Sequence, residues 1–145
     1  MVAGTEAMDE LGRRMALGLR NGQVVFLHGE LGAGKTTLFR GMMRGLGFAG
    51  AVKSPTFTLL ETYRIGELDV YHFDLYRLRK PEELEDLAWR DYIGAAVCIF
   101  EWPENAMPLL PDPDCAIEIE YGAKDLRRVI IKCLTELGGS LCASA

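Results

Sequence analysis

The sequence predicts a single α/β domain, with a mixed parallel/antiparallel β-sheet flanked by helices, and three observations carry this. The apolar run Val24-Val25-Phe26-Leu27-His28 leads through a glycine-rich loop into a helical run that begins at Thr37. A second continuous apolar run, Ala95 to Phe100, ends in an acid at Glu101. Phe57 to Tyr63 with Leu68 to Asp74, and Cys115 to Tyr121 with Arg127 to Cys133, are β-rich pairs around Gly66 and Gly122 that read as antiparallel hairpins. Uniformly apolar strands suit a parallel sheet covered on both faces, so the sheet joins parallel strands at its centre to hairpins beside them.

The elements follow in order. Thr5-Glu6-Ala7-Met8-Asp9-Glu10 reads as an N-capped helix start, with Leu11, Met15 and Leu19 on one face and Asn21-Gly22 as its stop. Gly45-Leu46-Gly47 ends the helix that follows the glycine-rich loop. Pro81 to Leu87 reads as a short helix with Pro in its first turn and acids near its N-terminus. Pro103 to Pro113 is a Pro-rich connection. Residues 1–137 form the domain, and the small, weakly patterned residues 138–145 are expected to be a flexible tail.

The loop itself is Gly29-Glu30-Leu31-Gly32-Ala33-Gly34-Lys35-Thr36, which satisfies the phosphate-loop pattern G-x-x-x-x-G-K-[ST] between a strand and a helix. The chain's own Gly, Lys and Ser/Thr frequencies make an accidental match on the order of four in a thousand. Such a loop turns successive backbone N–H groups into one concavity at the positive end of a helix. Gly29, Gly32 and Gly34 permit the close approaches this needs. Lys35 is then placed for the β/γ-phosphates and Thr36 for Mg²⁺, with residues 29–37 as the nucleotide cradle. The fold class is therefore that of a single-domain P-loop NTPase.

Composition narrows the function. The 145 residues carry a formal net charge of −5, which argues against strong independent binding to nucleic acid. Lys53, Arg77, Arg79 and Lys80 are the nearest approach to a basic patch. No apolar run approaches the roughly 20 residues that span a membrane. Charged Glu6, Asp9, Glu10, Arg13 and Arg14 break any signal-peptide layout. The four cysteines, Cys98, Cys115, Cys133 and Cys142, have no metal-site spacing. They are expected to be free thiols in a reducing cytoplasm rather than a zinc site or a disulfide framework.

A nucleotide enzyme needs a second anchor for its metal, usually an acid at the end of a buried strand. Glu101 is favoured for Mg²⁺, because the run before it is the more uniformly apolar. Asp74 would orient or deprotonate an attacking water, or hold a coordinated water; alternatively, either acid is a strand-end cap or surface charge. His72 is two residues from Asp74 on the same strand face, so a His–Asp pair competes with a packed histidine that finds a local partner. The packed reading is preferred for it and for His28. In Lys53-Ser54-Pro55-Thr56, proline holds Ser54 extended, so Thr56 either faces the γ-phosphate like a switch residue or belongs to a rigid strand entrance. Trp102 covers the nucleotide, docks a partner or packs at a sheet edge, and Arg77 reaches a phosphate or forms a surface ion pair. The two asparagines, Asn21 and Asn105, stand in no N-K-x-D guanine-reading motif, which favours ATP over GTP.

The segments G-E-L-G-A-G-K-T-T, V-K-S-P-T-F-T-L, Y-H-F-D-L-Y-R-L, P-E-E-L-E and F-E-W-P-E occur in that order. Together they resemble the bacterial TsaE (YjeE) family, from the first helix to the strand around Cys115. The resemblance implies a weak Mg²⁺-dependent ATPase of tRNA N6-threonylcarbamoyladenosine (t6A) formation. It would work in the cytoplasm with TsaD and TsaB, meet tRNA mainly through those partners, and reset the transfer complex between rounds. It also implies Lys35 and Thr36 as phosphate and Mg²⁺ ligands, Glu101 as the metal-side acid and Asp74 as a catalytic acid position. Thr56 falls in its switch-like segment and Trp102 is its Trp after the Glu. Glu30 stands where Asp is common, and Arg127 or Arg128 is a candidate adenine contact. The competing functions are a nucleotide-gated binding module without essential hydrolysis and a small-molecule kinase.

Overall fold

The structure is a computed structural model that describes residues 1–55 and 58–145. In chain order it contains β1 (Val2–Ala3), α1 (Gly4–Ala16), β2 (Val24–Gly29), α2 (Lys35–Gly45), β3 (Leu60–Ile65), β4 (Leu68–Asp74), β5 (Val97–Glu101), β6 (Cys115–Tyr121), β7 (Leu126–Cys133) and α3 (Gly139–Ser144). Short 3-10 turns cover Pro81–Leu87, Trp89–Asp91 and Pro103–Ala106. The seven strands form one sheet in the order β1-β7-β6-β2-β5-β4-β3. β2 lies between β5 and β6 and is parallel to both; β4 is parallel to β5. The β3–β4 and β6–β7 pairs are antiparallel. This is the mixed α/β sheet expected from the apolar runs and hairpins.

Period-two alternation divides the core. Val25, Leu27, Val70, Ile99 and Ile117 pack against Leu38, Phe39, Met42 and Met43 of α2 and Met8, Leu11 and Met15 of α1. Phe26, Phe73, Cys98 and Phe100 face the other way, under Leu84, Trp89, Ala106 and Leu110 from the 3-10 turns and their connections. Phe73 and Phe100 stack at 4.5 Å between ring centroids. The two helices run close together at Gly41, where a Cβ would collide with the Asp9 carbonyl. Asp9 also bridges the helices by accepting from Arg13 at 2.8 Å and Arg44 at 2.6 Å.

Several boundaries differ from the sequence expectation. α1 starts at Gly4 with Ala3 at the cap position, so Thr5 does not cap it; the pairing of Val2 and Ala3 with β7 sets where the helix begins. Residues 81–87 form a 3-10 turn that ends at left-handed Ala88. β3 begins at Leu60, just after left-handed Leu59, and the expected strand start at Phe57 lies outside the described residues.

The segment expected to fray is wound into α3, with Leu141 buried in the main core. Buried Gln23 ties it down, donating to the carbonyls of Gly18 at 3.0 Å and Leu137 at 2.9 Å, while Ser140 Oγ donates to Gly18 O at 2.6 Å. Cys133 at the end of β7 and Cys142 in α3 are disulfide-bonded, which corrects the expectation of four free thiols. The helix brings back a cysteine nine positions further along the chain. Cys98 and Cys115 are free and buried.

Candidate functional site

Three parallel strands end near the loop that joins β2 to α2. The loop, the N-terminal turn of α2 and the ends of β4 and β5 enclose a cavity of about 420 Å³. It gathers Leu31, Gly32, Ala33, Gly34, Lys35, Thr36 and Thr37 with Asp74, Glu101 and Trp102, all expected from the sequence. Gly29 and Glu30 sit beside it, on a neighbouring cleft with His28. Thr56 lies outside the described residues. The cavity also takes in Ser54, from the segment read as switch or strand entrance, Tyr76, and Arg77, read as a phosphate contact or a surface ion pair.

The acids are neighbours across the sheet, Asp74 being directly opposite Glu101 in the β4–β5 register. Glu101 is buried, and its Oε2 lies 2.6 Å from Nε2 of fully buried His72. His72 therefore partners Glu101 rather than Asp74. His72 is opposite Ile99 in the β4–β5 register, so Glu101 is its diagonal cross-strand neighbour on the same face, and the longer glutamate side chain spans that offset. The ring stacks on Phe39 of α2 at 4.0 Å, and Nδ1 is buried without a hydrogen-bond partner among the described residues. A proton on Nδ1 would have no acceptor, so this network assigns the ring's N–H to Nε2, donating to Glu101. Asp74 Oδ1 accepts the Tyr76 backbone N–H at 3.1 Å. Burial first, and the Glu101 carboxylate second, push the Asp74 carboxyl above its usual range, against the opposing pull of that N–H, His72 and Lys35.

Lys35 is folded back on its own loop, where its Nζ donates to Gly29 O and lies 3.5 Å from Glu30 O. It also sits 4.2 Å from the centroid of the Trp102 ring. Burial lowers the lysine's pKa, although Glu101, Asp74, Glu104 and Glu30 pull the other way. Trp102 adopts a left-handed backbone with φ 57°, uncommon for so large a residue. That turn carries the chain from β5 into the Pro103–Ala106 segment and sets the indole against Tyr76 at 4.9 Å.

The approach to Ser54 is anchored at Lys53, whose backbone N–H donates to Tyr63 Oη at 3.1 Å while that hydroxyl donates to Lys53 O at 3.2 Å. His28 pairs with Glu104 at 3.5 Å. Of the candidate adenine contacts, Arg127 binds the loop backbone at Ala33 O, and Arg128 pairs with Glu120 on the adjacent strand. Gly32 has φ 76°, and a Cβ there would lie 2.9 Å from Tyr121 Oη, so the loop at this point is open to backbone only. A backbone cradle at a helix N-terminus, a lysine, a helix hydroxyl and two strand-end carboxylates are a donor set suited to phosphate and a hard divalent cation.

Sheet topology, loop and acids together define a single-domain α/β protein built on a strand–glycine-rich-loop–helix unit. The sequence model of the family described as "Threonylcarbamoyl adenosine biosynthesis protein TsaE" matches residues 2–130, and the chain belongs to that family. It is 47% identical over 122 residues to the tRNA threonylcarbamoyladenosine biosynthesis protein TsaE of Haemophilus influenzae, covering 83% of this chain and 77% of that one. The protein of the same name from Bacillus subtilis is 38% identical over 122 residues, covering 83% and 76%. The crystal structure of Bacillus subtilis YdiB superposes with a TM-score of 0.80 at 30% identity, covering 98% of this chain and 88% of that one.

Proposed function

We propose that this chain is the ATP-binding and ATP-hydrolysing component of the machinery that forms t6A in tRNA, acting in the cytoplasm with TsaD and TsaB. Family membership supports the pathway. The observation that carries the chemistry is the convergence of Lys35 and Thr36 with Asp74 and Glu101 in one cavity beside Trp102. In this reading residues 29–37 cradle the phosphates of ATP, and Lys35 swings from Gly29 O onto the β/γ-phosphates. Thr36 and Glu101 hold Mg²⁺, which would neutralise charge on the phosphate oxygens. His72 fixes the orientation of Glu101 by donating from Nε2. Asp74, opposite Glu101 at the end of β4, positions the attacking water. The switch role assigned to Thr56 falls outside the described residues, and Trp102 closes over the nucleotide.

The net charge of −5 supports leaving most tRNA contact to the partners. Arginine-finger or oxyanion-type donors contribute about 10²–10⁵-fold to such reactions, so turnover that waits for TsaD–TsaB to complete the site is physically reasonable. The test is calorimetric binding of Mg-ATP together with phosphate release. The intact chain should bind and turn over slowly, and Lys35→Ala should lose both. Equal binding by the two proteins would overturn the assignment. Transfer of phosphate to an acceptor other than water would make the protein a kinase.

A further inference from the structure

The phosphate loop is held from behind by the β6–β7 hairpin. Tyr121 and Arg127 stand directly opposite each other in its register. Tyr121 Oη donates to Leu31 O at 2.6 Å, and Arg127 Nε donates to Ala33 O at 3.2 Å. The guanidinium lies 4.4 Å from the centroid of the Tyr121 ring, and its Nη1 donates to Leu126 O at 3.0 Å. Two alternate carbonyls of the loop are thus fixed to one cross-strand pair, which is itself stacked and anchored.

A trans peptide is planar, with its C=O and N–H pointing in opposite directions. Fixing Leu31 O therefore directs the Gly32 N–H away from the hairpin, and fixing Ala33 O does the same for the Gly34 N–H. Both glycines line the cavity. Gly32 also makes room for the hydroxyl that does the fixing. We propose that Tyr121 and Arg127 are positioning residues that preset the Gly32 and Gly34 amides for phosphate, an inference that rests on the nucleotide-binding reading above. Preset donors bind more tightly than donors that must be ordered by the ligand. Tyr121 is 52% exposed, so removing its hydroxyl takes little from the core and acts mainly on the loop.

The experiment compares the intact chain with Tyr121→Phe and Arg127→Lys, titrated by calorimetry with Mg-ATP and with Mg-tripolyphosphate, which has no base or ribose. Loss of one loop-fixing hydrogen bond should weaken both ligands by the same factor, about three- to tenfold, with little change in melting temperature. Amide hydrogen exchange in the ligand-free Tyr121→Phe protein should rise at Ala33, whose N–H donates to Glu30 O within the loop, and stay constant in β2. Unchanged exchange and unchanged affinity would overturn the proposal. So would a variant that loses Mg-ATP but keeps tripolyphosphate, which would make the side chain a base or ribose contact. If the intact chain binds neither probe, the nucleotide-binding reading fails and this inference fails with it. If it binds both and only the variants' response is absent, the bracing alone is wrong.

Discussion

Replacing His72 with Phe separates the role of its ring from that of its N–H. Phenylalanine keeps an aromatic ring against Phe39, where the present centroid distance is 4.0 Å, and preserves most of the apolar burial. It removes the one donor that lies 2.6 Å from the buried Glu101 Oε2. A buried oxygen left without its partner costs about 1–3 kcal/mol. For a chain of this length each kcal/mol lowers the melting temperature by about 2–4 °C, so the expected drop is roughly 2–12 °C. On the proposal that Glu101 holds Mg²⁺, losing the group that orients its carboxylate should also weaken Mg²⁺ by about 10–100-fold. Calorimetric melting gives the first number, and Mg²⁺ titration of ATP turnover gives the second. His72→Gln, which can place an amide donor near the former Nε2, should recover part of both. A Phe variant with unchanged melting and unchanged Mg²⁺ dependence would refute the assignment of His72 as the group that holds Glu101.

Other outcomes follow from the packing and the chemistry. Gly41→Ala drives a methyl into the Asp9 carbonyl, and chemical denaturation should show a loss of about 1–3 kcal/mol; full stability would mean that the α1–α2 contact yields easily. Burial pushes the Cys98 thiol up to about 12 and the Cys115 thiol up to about 11. At pH 8 their thiolate fractions fall below about one in a thousand, so neither should be alkylated by iodoacetamide until the protein is unfolded; rapid labelling of the native protein, counted by mass spectrometry, would contradict that. Glu101→Ala should mainly impair Mg²⁺-dependent turnover, and Asp74→Ala should stop turnover while nucleotide still binds. Normal turnover of the Glu101 variant beside a dead Asp74 variant would reverse the two roles.

Much of the fold was legible because its signals are local. The run from Val24 to His28, the glycines of the loop and the helix after Lys35 are each set by near neighbours, and the structure has β2 and α2 at those places. Glu101 stood out because every residue of β5 is buried, which leaves its terminal acid conspicuous. The His72–Glu101 pair was not legible, since it depends on the parallel register of β4 with β5, across 29 residues of chain. Ser54 reaches the cavity from one segment and Tyr76 and Arg77 from another, just after Asp74 at the end of β4, and only folding brings both to the loop. Tyr121 looked like the last residue of a strand; its hydroxyl gains meaning only from Leu31, 90 residues earlier. The C-terminal helix escaped notice because Gly138, Gly139 and Ser140 resemble a loose end. The segment packs because Gly18 has no Cβ, which would lie 2.2 Å from Ser140 O, and because a Cβ on Gly138 would likewise meet Asp114 O.

The most direct measurement reconstitutes t6A formation on tRNA with TsaD, TsaB and a supply of threonylcarbamoyl-adenylate, counting modified tRNA and released phosphate together over many rounds. With the intact chain, modification should continue well beyond one tRNA per complex, with ATP consumed in step. With Lys35→Ala it should stall near the first round. Sustained modification by the Lys35 variant, or by the intact chain with a non-hydrolysable ATP analogue, would contradict a role for hydrolysis at this site.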